Sequence, residues 1–125
     1  MTQSNAFLHE CVEAINRVAP VSYRRIFNGF GIYYEGVQFA LVINDQLYFR
    51  ADEFSRGLFL AKKMMAFMPS RIEALESHFF QLPHDVLSHP KELHHWMRIS
   101  VEAAQNSLGF GSGVSLASQP VSKRA

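Results

Sequence analysis

Apolar and polar residues alternate most regularly between Tyr23 and Asp52, and this pattern predicts four short strands joined by three tight turns. Asn28-Gly29 predicts a two-residue hairpin loop, and Glu35-Gly36 predicts a second one, although glutamate tolerates positive φ poorly. Alternation through both loops collects one apolar face. Its members are Tyr23, Phe27, Phe30, Ile32, Tyr34, Val37, Phe39 and Leu41.

The third loop has two alternatives. A two-residue loop at Asn44-Asp45 places Leu47 and Phe49 on the face opposite Phe39, whereas a three-residue loop over 44–46 places them on the same face. We predict the three-residue loop, a type I turn followed by a bulge, because it gives an antiparallel β-meander with a single apolar face.

Arg25 breaks this pattern, because alternation places it on the apolar face. Its side chain either extends outward into solvent or pairs with a carboxylate of Glu10, Glu13 or Asp52. A wider glycine loop over 27–31 that resets the register is a third structural explanation. Binding of an anionic ligand is the functional explanation.

Helical spacing of apolar residues predicts helices on either side of this stretch. The first covers 4–18 and the last covers about 90–107. Between them, Asp52 is predicted to cap a helix over roughly 53–63. The residues of this middle helix predicted to face inward are Phe54, Leu58 and Ala61.

Two segments keep alternatives open. Residues 64–68 form either a short strand or an extended link, and residues 70–82 form either a helix or a turn followed by a strand. Residues 107–125 are rich in glycine and serine, which predicts a flexible tail. The predicted fold over residues 1–106 is α+β, with two layers: an antiparallel β-meander sheet and helices packed on one face of it.

Composition limits the class of protein without revealing an activity. The chain has 125 residues, 48% of them apolar, which is enough for one domain with its own core. One cysteine excludes an internal disulfide, and Cys11 falls on the apolar side of the first helix, where we interpret it as a packing residue. The sequence shows neither a signal peptide nor a membrane-spanning run, so we expect a cytoplasmic protein without membrane contact.

The sequence predicts no catalytic residue, no cofactor and no metal site. Five histidines are concentrated in one stretch, but their spacing differs from the i, i+4 pair with a carboxylate that metalloproteases use, so we interpret them as surface or capping residues. These are His78, His84, His89, His94 and His95. Gly29-x-Gly31 lacks the third glycine and the following helix of a dinucleotide motif. No serine lies in a G-x-S-x-G context.

Binding is therefore the predicted kind of activity. Arg25 and Arg50 offer cations, and Tyr33 and Tyr48 offer aromatic rings, as binding residues. The outer face of the sheet is a candidate surface for a protein partner or a second copy of the chain. Its predicted members are Ile26, Tyr33, Ala40, Val42 and Tyr48. The net charge of +1 argues against direct nucleic-acid binding as the main activity, and a stand-alone module for a small ligand or nucleic acid is the alternative hypothesis.

Spaced glycines and aromatic residues also form a recognisable motif. Its members are Arg25, Phe27, Gly29-Phe30-Gly31-Ile32-Tyr33, Gly36, Phe39-Ala40 and Leu47-Tyr48-Phe49-Arg50-Ala51-Asp52, followed by Phe79-Phe80 before Pro83 and by Trp96. Over roughly residues 8–105, this pattern resembles the N-terminal domain of the TfoX/Sxy family.

The resemblance implies a two-layer α+β domain and a regulatory, non-catalytic role. Full-length members of the family promote natural competence in bacteria, with the cAMP receptor protein as the transcription factor involved, so the implied partner is a transcription factor. Two departures limit what is carried over. Phe79-Phe80 replaces a pair of tyrosines, and the sequence ends where full-length members continue into a helical C-terminal domain.

Overall fold

A computed structural model describes residues 2–26, 28–67 and 78–107. Its elements follow one another in the order α1 (Thr2–Asn16), β1 (Ser22–Ile26), β2 (Gly29–Tyr34), β3 (Val37–Ile43), β4 (Gln46–Arg50), α2 (Arg56–Ala61), β5 (Phe79–Gln81), the 3-10 helix η1 (His84–Ser88) and α3 (Pro90–Ser107). The predicted tail beyond residue 107 lies outside the described residues. So does the segment 68–77, for most of which the sequence left a helix and a turn as alternatives.

The strands form one antiparallel sheet in the order β1-β2-β3-β4-β5, so each strand pairs with its neighbour in sequence. Residues of α1 and α3 share one hydrophobic core with the inner face of this sheet. The predicted α+β fold, a meander with helices packed on one face, is therefore confirmed. Beyond β5 the chain adds a short pairing, in which Ala66 lies opposite Phe80, so part of the segment 64–68 is extended and joins the sheet.

The core lies between the sheet and the two long helices. Phe39, Phe49 and Phe80 from the sheet are fully buried, and Leu93 of α3 packs in the same cluster. Cys11 of α1 is also fully buried there. Burial, with a smaller effect of the neighbouring Glu10 carboxylate, raises the pKa of the Cys11 thiol to about 12, so this cysteine is a packing residue as predicted.

The first turn differs from the prediction. Ile26 pairs with Gly29, so Gly29 is a residue of β2 and Asn28-Gly29 is not the turn. A Cβ at Gly29 would lie 2.1 Å from the carbonyl oxygen of Val42, so the glycine permits a close approach of β2 to β3. Phe27 lies outside the described residues.

The second turn, Glu35-Gly36, is confirmed: Tyr34 pairs with Val37, and both turn residues have positive φ, 50° and 81°. A bulge follows it in β3. Ile32 pairs with Ala40 while Tyr33 pairs with Gln38, which leaves Phe39 as the extra residue.

The third turn has two residues, so the predicted three-residue loop is wrong. Ile43 pairs with Gln46 across Asn44-Asp45, whose φ values are 52° and 59°. The bulge at Phe39 supplies the extra residue instead, and the rings of Phe39 and Phe49 are in contact, with centroids 5.5 Å apart.

Because the bulge reverses the alternation within β3, the two faces of this strand differ from the prediction. Ala40 and Val42, predicted on the outer face, belong to the core. Leu41, predicted on the core face, lies on the outer face together with Ile43.

Ser100 of α3 ties the helix to this irregular part of the sheet. Its hydroxyl is fully buried and lies 2.7 Å from the carbonyl oxygen of Arg50 and 3.2 Å from that of Phe39. The bulge takes the Phe39 carbonyl out of the regular ladder, so the serine supplies a donor for a group that the sheet leaves unpaired.

The predicted orientation of the middle helix is wrong. Phe59 is the buried residue of α2, and its ring packs between Phe80 and Trp96, with centroid distances of 5.3 and 4.7 Å. Phe54 and Leu58, predicted to face inward, are 79% and 49% exposed. A helix of six residues buries only one side, and the larger aromatic ring occupies it.

Among the described residues, no helix combines the length and the apolar character that crossing a bilayer requires.

Candidate functional site

The outer face of the sheet, defined as the face opposite α1 and α3, carries three of the four predicted binding residues. Tyr48 and Arg50 flank the buried Phe49 in β4, and Tyr33 follows the buried Ile32 in β2, so alternation directs all three outward. One cross-strand row runs over this face: Arg24, Gly31, Leu41, Tyr48 and Gln81.

Tyr33 lies over Gly31 on this face. A Cβ at Gly31 would lie 3.0 Å from the Tyr33 hydroxyl oxygen and 3.1 Å from a carbon of its ring, so the glycine makes room for the ring. The Arg24 guanidinium carbon lies 5.3 Å from the centroid of the same ring, within the range of a cation–π contact.

Tyr48 lies in the same row as Gly31, two strands away from the glycine over which the Tyr33 ring lies. Its ring is 4.9 Å from that of Phe67, and the two planes are tilted by 60°. Partial burial raises the pKa of the Tyr48 hydroxyl, so it stays protonated at neutral pH and can act as a hydrogen-bond donor.

Arg50 stands at the end of β4, with its guanidinium carbon 5.3 Å from the ring centroid of Phe79. Burial lowers the pKa of Arg50, and the nearby carboxylate of Asp52 opposes this change. Within the described part of the chain, its buried Nε has no hydrogen-bond partner. Arg50 therefore has one donor that the described residues leave unused.

Arg25 does not join these residues. It pairs with Phe30 on the helix side of the sheet, at the β1 edge, where its side chain is exposed and its guanidinium carbon lies 5.6 Å from the Phe30 ring centroid. No carboxylate of the described residues forms a salt bridge with it. The explanation that Arg25 extends outward is the one that the structure supports.

The strands carry charge of one sign. Arg24, Arg25 and Arg50 lie within β1–β5, and these five strands contain no aspartate or glutamate. Two of the three arginines belong to the outer face, each beside an aromatic ring. This face is therefore suited to contact with an anionic or acidic molecule.

The described residues of the motif have structural roles in the fold. Gly29 and Gly31 admit close neighbours, Gly36 forms a turn, and Phe39 forms the bulge. Asp52 connects two elements, since its Oδ1 accepts hydrogen bonds at the start of α2 and its Oδ2 accepts one from Asn106 of α3.

The hydrogen bonds around Asp52 determine its protonation. Burial alone raises the pKa of this carboxyl, but the bonds from Asn106, Ser55 and the Phe54 amide outweigh it and lower the pKa below its ordinary value. Ser55, not Asp52 as predicted, is the N-cap of α2. Asp52 instead holds the turn before the helix, as a fixed negative charge at neutral pH.

A second surface was missed by the sequence analysis. Phe54, in the turn before α2, and Leu58 and Ala61 of α2 follow one another at i, i+4 and i+7 in the sequence and are all exposed. These three residues are here called the α2 stripe. Exposed Lys62 and Lys63 follow the stripe. The helical spacing of these residues was visible in the sequence, but it predicted that their side chains face the core.

The histidines have separate surroundings. His84 pairs with Glu10 at 2.8 Å, His89 contacts the Asp85 carbonyl oxygen at 2.8 Å, and the His95 ring lies edge-on to Trp96. No three side chains of His, Cys, Asp or Glu converge on a metal-sized space anywhere in the described ranges.

Comparison with known proteins gives one finding about family. No curated protein sequence matches the chain. Residues 13–104, from within α1 to the last turn of α3, match the TfoX N-terminal domain. The match includes the whole sheet and the motif of glycines and aromatic residues described above. The chain therefore belongs to the TfoX N-terminal domain family.

Proposed function

We propose that this chain is a non-catalytic regulatory domain of the cytoplasm, which acts in transcriptional regulation by binding a protein partner through the α2 stripe. The TfoX N-terminal domain family is not a known enzyme family. The observation that carries the proposal is the exposure of Phe54 and Leu58, since a row of apolar residues at helical spacing normally faces a core or a partner.

The stripe offers enough apolar surface for a contact of useful strength. Fully burying a leucine or phenylalanine side chain contributes about 1.5–3 kcal/mol. Phe54 is mostly exposed and Leu58 is about half exposed, so covering both contributes on the order of 3 kcal/mol. This is the size expected for the centre of a small interface.

The charges beside the stripe indicate the partner's chemistry. Lys62 and Lys63 are exposed at the C-terminal end of α2, and Lys63 is held at φ 61°. A segment with an apolar side for Phe54 and Leu58 and acidic residues opposite the two lysines fits this surface best. A transcription factor that displays such a segment is the proposed partner.

Paired substitutions test this proposal. The tagged chain is purified from its native cell, and a retained transcription factor is then purified and titrated against wild type, a Phe54→Ser/Leu58→Ser double variant and Leu60→Ser. Leu60 is the matched control, because it is 53% exposed on the same helix but lies on the other side of Phe59.

We expect affinity to fall about 100-fold in the double variant and to stay unchanged in Leu60→Ser. Equal affinity of the double variant and wild type contradicts the proposal. Self-association that the double variant abolishes, measured by sedimentation, instead assigns the stripe to a second copy of the chain.

A second candidate function is supported by the outer face of the sheet. Two arginine–aromatic contacts, Arg24 with Tyr33 and Arg50 with Phe79, stand on a face whose strands lack carboxylates. Single-stranded nucleic acid combines the phosphates and flat bases that such a face binds. The small net charge of +1 argues for weak binding.

Fluorescence anisotropy with a labelled single strand tests the second candidate. Binding through two arginines predicts a logarithmic salt slope of about −1.4, and Arg50→Gln is expected to halve it. Arg98→Gln is the control, since Arg98 is exposed on α3, away from the outer face. Absence of binding at low salt rejects this candidate.

A further inference from the structure

A small pocket opens between α1, the β3–β4 turn, β5 and η1. Its volume is about 170 Å³. One part of its lining is apolar, formed by Phe7, Leu47, Leu82 and Leu87, and the other part is polar, formed by Asp45, Gln46, Gln81 and His84. A ligand with an apolar body and a polar head fits a pocket whose lining is divided in this way.

Asp45 supplies an acceptor that the described residues do not satisfy. Its Oδ1 is inaccessible to solvent and has no hydrogen-bond partner among them. A buried carboxylate oxygen without a donor destabilises the folded state. The residue also has φ 59° in a two-residue turn, a position where glycine is favoured. Aspartate tolerates this left-handed turn position, but its Oδ1 gains no hydrogen bond from the described residues.

The two glutamines beside Asp45 add further directional groups. Gln81 Nε2 donates a hydrogen bond to Gln46 Oε1, which fixes both amides. This pairing leaves the Gln81 oxygen as an acceptor and the Gln46 nitrogen as a donor. Asp45 and Gln81 both line the pocket, so its polar part carries hydrogen-bond acceptors.

The rim of the pocket is held by α1 and η1. His84 Nε2 lies 2.8 Å from Glu10 Oε2, and the His84 ring stacks against Phe7 at a centroid distance of 6.0 Å. This pair connects α1 to η1 beside the pocket.

We propose that this pocket binds a small organic cation: a primary ammonium group on an apolar body of about four to six carbons. The ammonium donates to the Asp45 carboxylate at the polar part of the pocket, and the carbons pack against Phe7 and Leu82. A cavity of 150 Å³ accommodates benzene, so about 170 Å³ fits a ligand of this size. The site is separate from the α2 stripe and does not depend on the proposed function.

Titration of the full chain with n-butylammonium, followed by the shifts of backbone amide signals in ¹⁵N NMR spectra, tests the site. We expect saturable shifts at residues 45–47, 81–82 and 84–87, with a dissociation constant on the order of a millimolar. The neutral isostere n-butanol and the anion butyrate are expected to bind about tenfold more weakly or worse.

Two variants of the same turn complete the test. Asp45→Gly removes the carboxylate at a position that favours glycine, so we expect a folded, slightly more heat-stable protein that binds n-butylammonium about tenfold more weakly or worse. Asn44→Gly is the matched control, because Asn44 has φ 52° in the same turn but is exposed, and binding should be unchanged.

Three results overturn the proposal. The first is the absence of saturable shifts up to about 50 mM n-butylammonium, where a ligand with millimolar affinity saturates the site. The second is equal affinity of n-butanol and n-butylammonium, or of Asp45→Gly and wild type. The third is that calcium or magnesium alone produces the same shifts at lower concentration, which would assign the pocket to a metal ion.

Discussion

Replacing Ser100 by alanine removes a single oxygen atom from the contact between α3 and the sheet. Its hydroxyl carries one proton and faces two carbonyl oxygens, of Arg50 at 2.7 Å and of Phe39 at 3.2 Å. The shorter distance makes Arg50 the main acceptor and Phe39 the minor one. The serine is fully buried.

The structure gives the magnitude of this change. A typical hydrogen bond contributes about 1 kcal/mol net, and leaving a buried acceptor unsatisfied costs about 1–3 kcal/mol. The cavity left by one oxygen adds little, because it is smaller than a methyl group. We therefore expect Ser100→Ala to lower the free energy of unfolding by about 2 kcal/mol and Tm by roughly 8 °C.

Urea unfolding followed by circular dichroism measures this difference. Ser107→Ala is the control: its hydroxyl lies 2.8 Å from the Ala104 carbonyl oxygen in the same helix, but the residue is exposed, so we expect a change below about 0.5 kcal/mol. If Ser100→Ala matches wild type within that margin, the serine hydroxyl does not satisfy the Arg50 and Phe39 carbonyls as described. A changed m-value would instead indicate an altered folded or unfolded state.

Three further predictions concern the fold. The pKa of Asp52 is lowered in the folded chain, so its contribution to stability is present above the unfolded-state pKa of about 3.9 and is lost as pH falls through the folded value. In a pH series of urea titrations, the difference in unfolding free energy between wild type and Asp52→Asn should therefore shrink as pH falls through that value. Gly29→Ala should lower the thermal midpoint far more than Gly31→Ala, because the first Cβ meets the backbone oxygen of Val42 and the second meets movable side chains; equal losses would contradict this. Lys63→Gly should raise the free energy of unfolding by about 1 kcal/mol in chemical denaturation, since Lys63 has φ 61° in the left-handed position that ends α2; a loss would show that its side chain is needed.

The sequence predicted the sheet but misplaced one of its irregularities. Alternation correctly required one extra residue between the Glu35-Gly36 turn and Leu47. A three-residue loop and a bulge both supply such a residue, and counting positions cannot distinguish them. The structure places it at Phe39, where the freed carbonyl finds Ser100. That partner is 61 residues away, and no local pattern reveals it.

Only part of the candidate site could be predicted from the sequence, because the rest depends on contacts between distant residues. Tyr33, Tyr48 and Arg50 share the outer face because strand alternation is local, and it is readable from sequence. The direction of α2 is decided by how Phe59 packs against Phe80 and Trp96, which come from distant parts of the chain. Helical spacing located an apolar stripe but did not decide between core and partner.

The most direct test of the central claim measures how fast a thiol at position 58 reacts. Cys11 is fully buried with its pKa raised to about 12, so it contributes almost no background in the folded protein. We predict that Leu58→Cys reacts with a thiol reagent within about threefold of the rate in urea-unfolded chain, and that the bound partner protein slows it strongly. A rate in the free folded protein as low as that of Cys11 would contradict the account, because the α2 stripe would then face the interior.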